Sequence, residues 1–156
     1  MVNMPYPPLL ILPNQAAYEA RFKSVYCRGS ISTHDGIRVR FDAYKFWHDF
    51  FESSSRKKKN KDIFSPERAQ RLEWIKAALQ DENATLLQGW ISDEDRYEPF
   101  RRVALVEVNG THYAVVIALF GGDGIDHKTA NKGKFITAFV PGPKTLENIQ
   151  KSPSWP

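Results

Sequence analysis

"RRVALVEVNGTHYAVVIALF", residues 101–120, decides the fold class. Both flanks are rich in β-branched and other apolar residues, and Asn109-Gly110 stands between them. That pair suits a type I′ turn, whose two central residues both need positive φ. An antiparallel hairpin turning at Asn109-Gly110 is therefore expected. C-terminal to it, "GGDGIDHKTANKG" reads as a polar, glycine-rich loop. "KFITAFVPG" then closes the sheet as a last strand over about Lys134 to Val140. N-terminal to it, "ATLLQGWI" (84–91) is a further strand candidate.

Before residue 84 the period is helical. In "SPERAQRLEWIKAALQDEN" (65–83), Ser65 is a good N-cap and Pro66 fits the first helical position. Leu72, Ile75 and Leu79 recur at helical spacing and face the core, with Trp74 and Ala78 beside them. Arg68 and Arg71 lie on a neighbouring stripe, from which both can reach the surface. "NQAAYEARFKSVY" (14–26) predicts a helix capped by Asn14, with Tyr18, Phe22 and Val25 on one face. Asp35-Gly36 marks a turn between short β-prone pieces. "KFWHDFFES" (45–53) is too aromatic for a solvated loop and reads as a short helix or an irregular turn. A short helix is expected in the tail after Lys144. The plan is α+β: N-terminal helices followed by a mostly antiparallel four-stranded sheet. Residues 1–14 form an extended N-terminal arm and 15–156 a single domain.

Composition narrows the function. The chain has 156 residues, 42% hydrophobic and 26% charged, as in a globular protein with its own core. One cysteine, Cys27, excludes an internal disulfide and a cysteine-rich zinc cage. Leu9 to Leu12 is too short an apolar run to span a bilayer, and no basic segment precedes it as in a signal peptide. A cytoplasmic protein without membrane attachment is expected. The net charge of +4 permits a polyanionic partner. Part of the excess lies in "RKKKNK" (56–61), where Lys57, Lys58 and Lys59 are candidates to hold nucleic acid from a solvated, mobile loop.

No dinucleotide loop, P-loop, GxSxG or HExxH occurs. "GGDGID" (121–126) lacks the alternating carboxylates of a calcium loop. Of the four histidines, His34 and His112 fall near turns and His127 lies in the polar loop. His48 differs, because Phe46, Trp47, Phe50 and Phe51 surround it. It is either a structural hydrogen-bonding residue or a partly desolvated imidazole suited to acid–base work. The last strand sets Thr137 in an apolar run with Lys132 and Lys134 at its mouth. Threonine favours strands for its shape alone. Here it is also a candidate anion ligand beside two cations. A histidine, helix-borne arginines and a strand with cations and a hydroxyl are what RNA cleavage without metal or cofactor requires.

In order, "FWHDFFES", "FSPERAQRLEWIKAAL", "RRVALVEVNGTHYAVVIAL" and "KGKFITAF" resemble the phage and prophage branch of the BECR superfamily. That group joins barnase-like, EndoU-like, colicin D- and E5-like and RelE-like ribonucleases. The similarity covers roughly residues 45–140. It implies N-terminal helices on a four-stranded antiparallel sheet and metal-independent cleavage of RNA by 2′-hydroxyl attack, in a toxin or mobile-element effector. His48 would act as acid or base. Arg71 and Lys134 would bind phosphate, Thr137 would bind the scissile phosphate, and Arg68 and Lys132 would hold RNA nearby. No cofactor is implied. The partners implied are RNA, tRNA or another structured RNA, and a cognate immunity or antitoxin protein. The chain departs from a two-histidine pattern, with His112 and Tyr113 the remaining candidates for the second proton transfer. The competing reading is a non-catalytic RNA- or protein-binding module on the same scaffold. An enzyme of another class is a third.

Overall fold

Asn14 does cap a helix: its side chain accepts from the Ala17 N–H, and α1 runs Gln15–Tyr26 with Tyr18, Phe22 and Tyr26 buried. The structure is a computed structural model and describes residues 6–52, 63–91 and 94–155. The basic run 56–61, with Lys57, Lys58 and Lys59, lies outside the described residues. Next, β1 (Ser30–Ser32) and β2 (Arg38–Arg40) form an antiparallel hairpin around the Asp35-Gly36 turn. Helix α2 is Lys45–Asp49, and β3 (Phe51–Glu52) pairs with β4 (Ile63–Phe64) as a separate ribbon.

The capped segment from Ser65 divides into α3 (Pro66–Gln70) and α4 (Leu72–Leu79), where one helix was expected. At the joint, Arg71 has φ −99° and ψ 17°, and its N–H bonds the Arg68 carbonyl, a three-residue closure in place of the α-helical one. Then come β5 (Thr85–Ile91), β6 (Arg96–Val108), β7 (Thr111–Phe120), β8 (Lys132–Phe139) and α5 (Pro143–Gln150). The hairpin turns at Asn109-Gly110, with φ 51° and 84°, as a type I′ turn requires.

The class is α+β, but the sheet departs from the expected one. It is six-stranded and mixed, in the order β1-β2-β8-β7-β6-β5, not four-stranded and antiparallel. β2 lies parallel to β8, with Val39 opposite Gly133. Helices interleave with the strands too: α2, α3 and α4 fall between β2 and β5, and α5 follows the sheet. Local periodicity finds hairpins but not partners far apart in sequence. Gly133 makes the distant pairing fit, since a Cβ there would stand 3.3 Å from Val39 Cγ2 and 3.4 Å from Ile37 Cγ2.

The larger core cluster unites α1, α2 and α4 with one face of the sheet, through Phe22, Phe46, Phe50, Ile75, Ile117 and Phe135. A smaller one on the other face gathers Leu87, Val103, Leu105 and Ala114, with Leu146 and Ile149 of α5 packed on it. The N-terminal stretch is docked by the Trp74 indole on the Pro7 carbonyl (2.8 Å) and by Leu10 N–H on the Gln70 carbonyl (2.8 Å). At the far end, Gln88 N–H bonds Pro153 and Trp155 N–H bonds Leu86, covering part of the edge of β5. Among the described residues, no helix is long and apolar enough to cross a membrane.

Candidate functional site

Helix α2 has five residues and no side-chain cap, so it cannot persist on local propensity. Tertiary packing holds it. Phe46 and Phe50 are fully buried, with ring centroids 5.3 Å apart and 6.2 and 5.6 Å from Phe22. Burying a phenylalanine stabilises by about 1.5–3 kcal/mol, enough to anchor one turn. With those rings fixed, His48 and Asp49, two of the three residues between them, take opposite environments. The His48 side chain is 55% exposed, whereas that of Asp49 is 1% exposed.

The two side chains meet: His48 Nδ1 is 3.0 Å from Asp49 Oδ1. The Arg68 guanidinium donates to the Asp49 carbonyl at 3.2 Å, tying α3 to the end of α2. Thr137 approaches the same carboxylate from β8, which carries an extra residue at Ile136 where the register steps from Phe135 to Thr137. Such a bulge re-aims the side chains beside it. The Thr137 contact is a weak one, because Asp49 Oδ2 is buried without a hydrogen-bond partner of good geometry among the described residues.

Burial pushes the Asp49 carboxyl above its usual range, and the His48 hydrogen bond, the Lys45 charge and Thr137 offset this only in part. When Nδ1–H of His48 donates to that carboxylate, Nε2 is left facing outward as an acceptor.

A pocket of about 100 Å³ adjoins this arrangement, lined by Glu67, Arg68, Arg71, Tyr113, Phe139 and Val140. Arg71 donates to the Glu67 carbonyl at 2.8 Å and lies over the Trp74 ring at 5.2 Å, while its Nε is buried without a partner among the described residues. The Tyr113 hydroxyl reaches the Arg71 carbonyl at 3.4 Å. Complete burial raises its pKa well above the ordinary value, so it stays neutral.

Of the residues singled out in the sequence, His48, Thr137, Arg68 and Arg71 are brought around Asp49 and the adjoining pocket. Tyr113 joins them. Lys134 does not. Its ammonium is 3.1 Å from Asp42, three residues and roughly 10 Å along the strand from Thr137. Lys132 lies further off, opposite Arg38 and Phe120. His112 pairs with Glu107 at 3.2 Å near the hairpin turn. His127 packs edge-on to Phe100 and Trp155. Asp49 was not among the sequence candidates. Its signal was an acidic residue placed directly before Phe50 in an aromatic run.

Among the described residues, no three His, Cys, Asp or Glu side chains gather as a metal would need. Comparison with protein-family models, curated proteins and solved structures finds no match to this chain.

Proposed function

We propose that this protein is a metal-independent endoribonuclease whose site is His48, Asp49 and Thr137, backed by Arg68 and Arg71. The observation that carries the reading is the His48–Asp49 pair: an outward imidazole whose Nδ1 is held at 3.0 Å by a carboxylate in the core. Such a pair sets the tautomer and leaves Nε2 to take a proton. In RNA cleavage that proton comes from the ribose 2′-hydroxyl. Its oxygen bonds to phosphorus, the bond to the 5′-oxygen breaks, and solvent protonates the leaving oxygen. Thr137 donates to a phosphate oxygen and the two guanidinium groups balance the growing negative charge. A toxin or mobile-element effector held in check by a cognate antitoxin or immunity protein is the setting the sequence resemblance suggests.

One observation favours the second reading, a non-catalytic RNA-binding module. Lys134, expected at the phosphate, is engaged by Asp42, and His112 and His127 have other partners, Glu107 for the first and the Phe100 and Trp155 rings for the second.

The decisive experiment is RNA cleavage in EDTA by the wild type, His48→Ala and Thr137→Val. Thr137→Val keeps the β-branched shape and removes one donor, so turnover should fall about 10²–10³-fold. His48→Ala should cost at least as much. A wild type that cuts no RNA, or cleavage that survives in both variants, refutes this site.

A further inference from the structure

We propose that the outer face of the sheet at its β2–β8–β7 end is a docking surface for single-stranded nucleic acid. The choice of a nucleic acid rests on the function proposed above; the surface itself uses none of that site's residues.

The surface follows from the register. Arg38 is opposite Lys132 and Arg40 is opposite Lys134 on the parallel pair. Across the next pair, Phe120 is opposite Lys132 and Ala118 is opposite Lys134, and Arg101 of β6 is opposite Ala118. Residues directly opposite share a face. One row therefore reads Arg40, Lys134, Ala118, Arg101, and the next Arg38, Lys132, Phe120. At about 4.8 Å per strand the first row spans roughly 14 Å. Alternation sends Ile37, Val39 and Phe41 to the buried side.

This end of the face is open. Leu146 and Ile149 of α5 cover the cluster around Leu105 and Ala114, whereas Arg38, Arg40 and Lys132 are exposed and Phe120 is 42% exposed. Asp42 offsets two of the cations, at 3.1 Å from Lys134 and 3.9 Å from Arg40. Arg38 and Lys132 have no ion pair among the described residues. In the loop after Phe120, exposed Asp123 is engaged within its own loop, accepting from the Ile125 and Asp126 N–H groups and the Thr129 hydroxyl.

Cations alone would suit any polyanion. The exposed ring set among them selects. A single strand lays phosphates along the arginines and lysines and stacks an unpaired base on Phe120. A duplex keeps its bases stacked on one another, and an acidic polypeptide has no base to offer.

The test measures binding by fluorescence anisotropy in the His48→Ala protein, so that the probe is not consumed. The probe is a labelled oligouridylate of roughly 12 nucleotides. A duplex of equal length and polyglutamate are the comparisons. Arg38→Gln/Arg40→Gln/Lys132→Gln should weaken oligouridylate binding at least tenfold at low salt. It should also reduce the slope of log K against log salt by about 2, three lost contacts at ~0.7 each. Phe120→Ala should weaken it about fivefold or more while leaving polyglutamate unaffected. Melting temperatures should match the parent's, since these side chains are exposed. Oligouridylate bound equally by parent and triple variant overturns the proposal, as does an unaltered affinity in Phe120→Ala or a preference for duplex or polyglutamate. Cleavage of a dinucleotide by the wild type, too short to span the row, reports on the His48 site separately. No dinucleotide cleavage together with oligouridylate binding lost in the triple variant sinks the catalytic reading and leaves this surface standing; the opposite pair of results does the reverse.

Discussion

Asp35 in the β1–β2 turn, with its side chain 32% exposed, and Asp49 at the end of α2, with its side chain 1% exposed, are both carboxylates held by neighbouring side chains, and their surroundings treat them in opposite ways. Asp35 takes a two-pronged contact from Arg102, at 2.7 and 3.2 Å, and a hydrogen bond from the Thr33 hydroxyl. Arg102 is itself buried and stacks 4.8 Å from the Trp155 ring, so this pair clasps the turn, β6 and the C-terminal tail together. Burial alone would raise the Asp35 pKa, but the hydrogen bonds from Arg102 and Thr33 and the Arg102 charge outweigh it and hold the value at about 2. Asp49 is more deeply buried, faces a histidine in place of an arginine, and keeps one oxygen without a partner among the described residues. Its pKa goes up. A satisfied carboxylate is a structural clasp. A buried, half-satisfied one is the arrangement that functional sites retain at some cost to stability.

The sharpest way to break this contrast is to remove the first carboxylate. Asp35→Ala strands the Arg102 charge in the core and should cost about 3 kcal/mol. At roughly 2–4 °C per kcal/mol for a chain of this size, the melting temperature should drop about 6–12 °C. A loss under about 1 kcal/mol would show that Arg102 finds other partners. Asp49→Asn should do the opposite, leaving the melting temperature unchanged or raising it by a few degrees, because it removes a costly ionisation. A large loss there would make Asp49 a second clasp.

The pH dependence sharpens the comparison further. Asp35 has a folded pKa of about 2 against an ordinary 3.8, so its contribution is present above 3.8 and is lost as pH falls toward 2. Asp49 has a raised folded pKa, so its contribution is full below 3.8 and is lost as pH rises through the raised value. Urea denaturation across this range should show a shallower acid loss in Asp35→Ala than in the wild type. In Asp49→Asn, the decline above pH 3.8 should shrink. The smallest effect belongs to Thr137→Val, within about 0.5 kcal/mol of the wild type on the same denaturation curve, since its hydroxyl makes only a weak contact.

Elements governed by near neighbours were legible in the sequence. Asn109-Gly110, the Asn14 and Ser65 caps and the aromatic turn at Phe46 each express a preference written within a few residues. The helix break at Arg71 was not, because a good helical pattern continues through it. For the site, His48 and Thr137 stood out by type and setting. Asp49 did not, since an adjacent acidic residue becomes a buried partner only once Phe46 and Phe50 pin the turn.

By itself, then, the sequence determined the α+β class, the helix starts and the hairpin turns, all of which follow from local backbone and solvation preferences. Only the tertiary structure decided that β2 joins β8, making a six-stranded mixed sheet, and that Lys134 pairs with Asp42. The physical reason is common to both. A parallel pairing across the chain and an ion pair between β8 and the segment after β2 depend on which surfaces meet after collapse, and no stretch of a few residues carries that information.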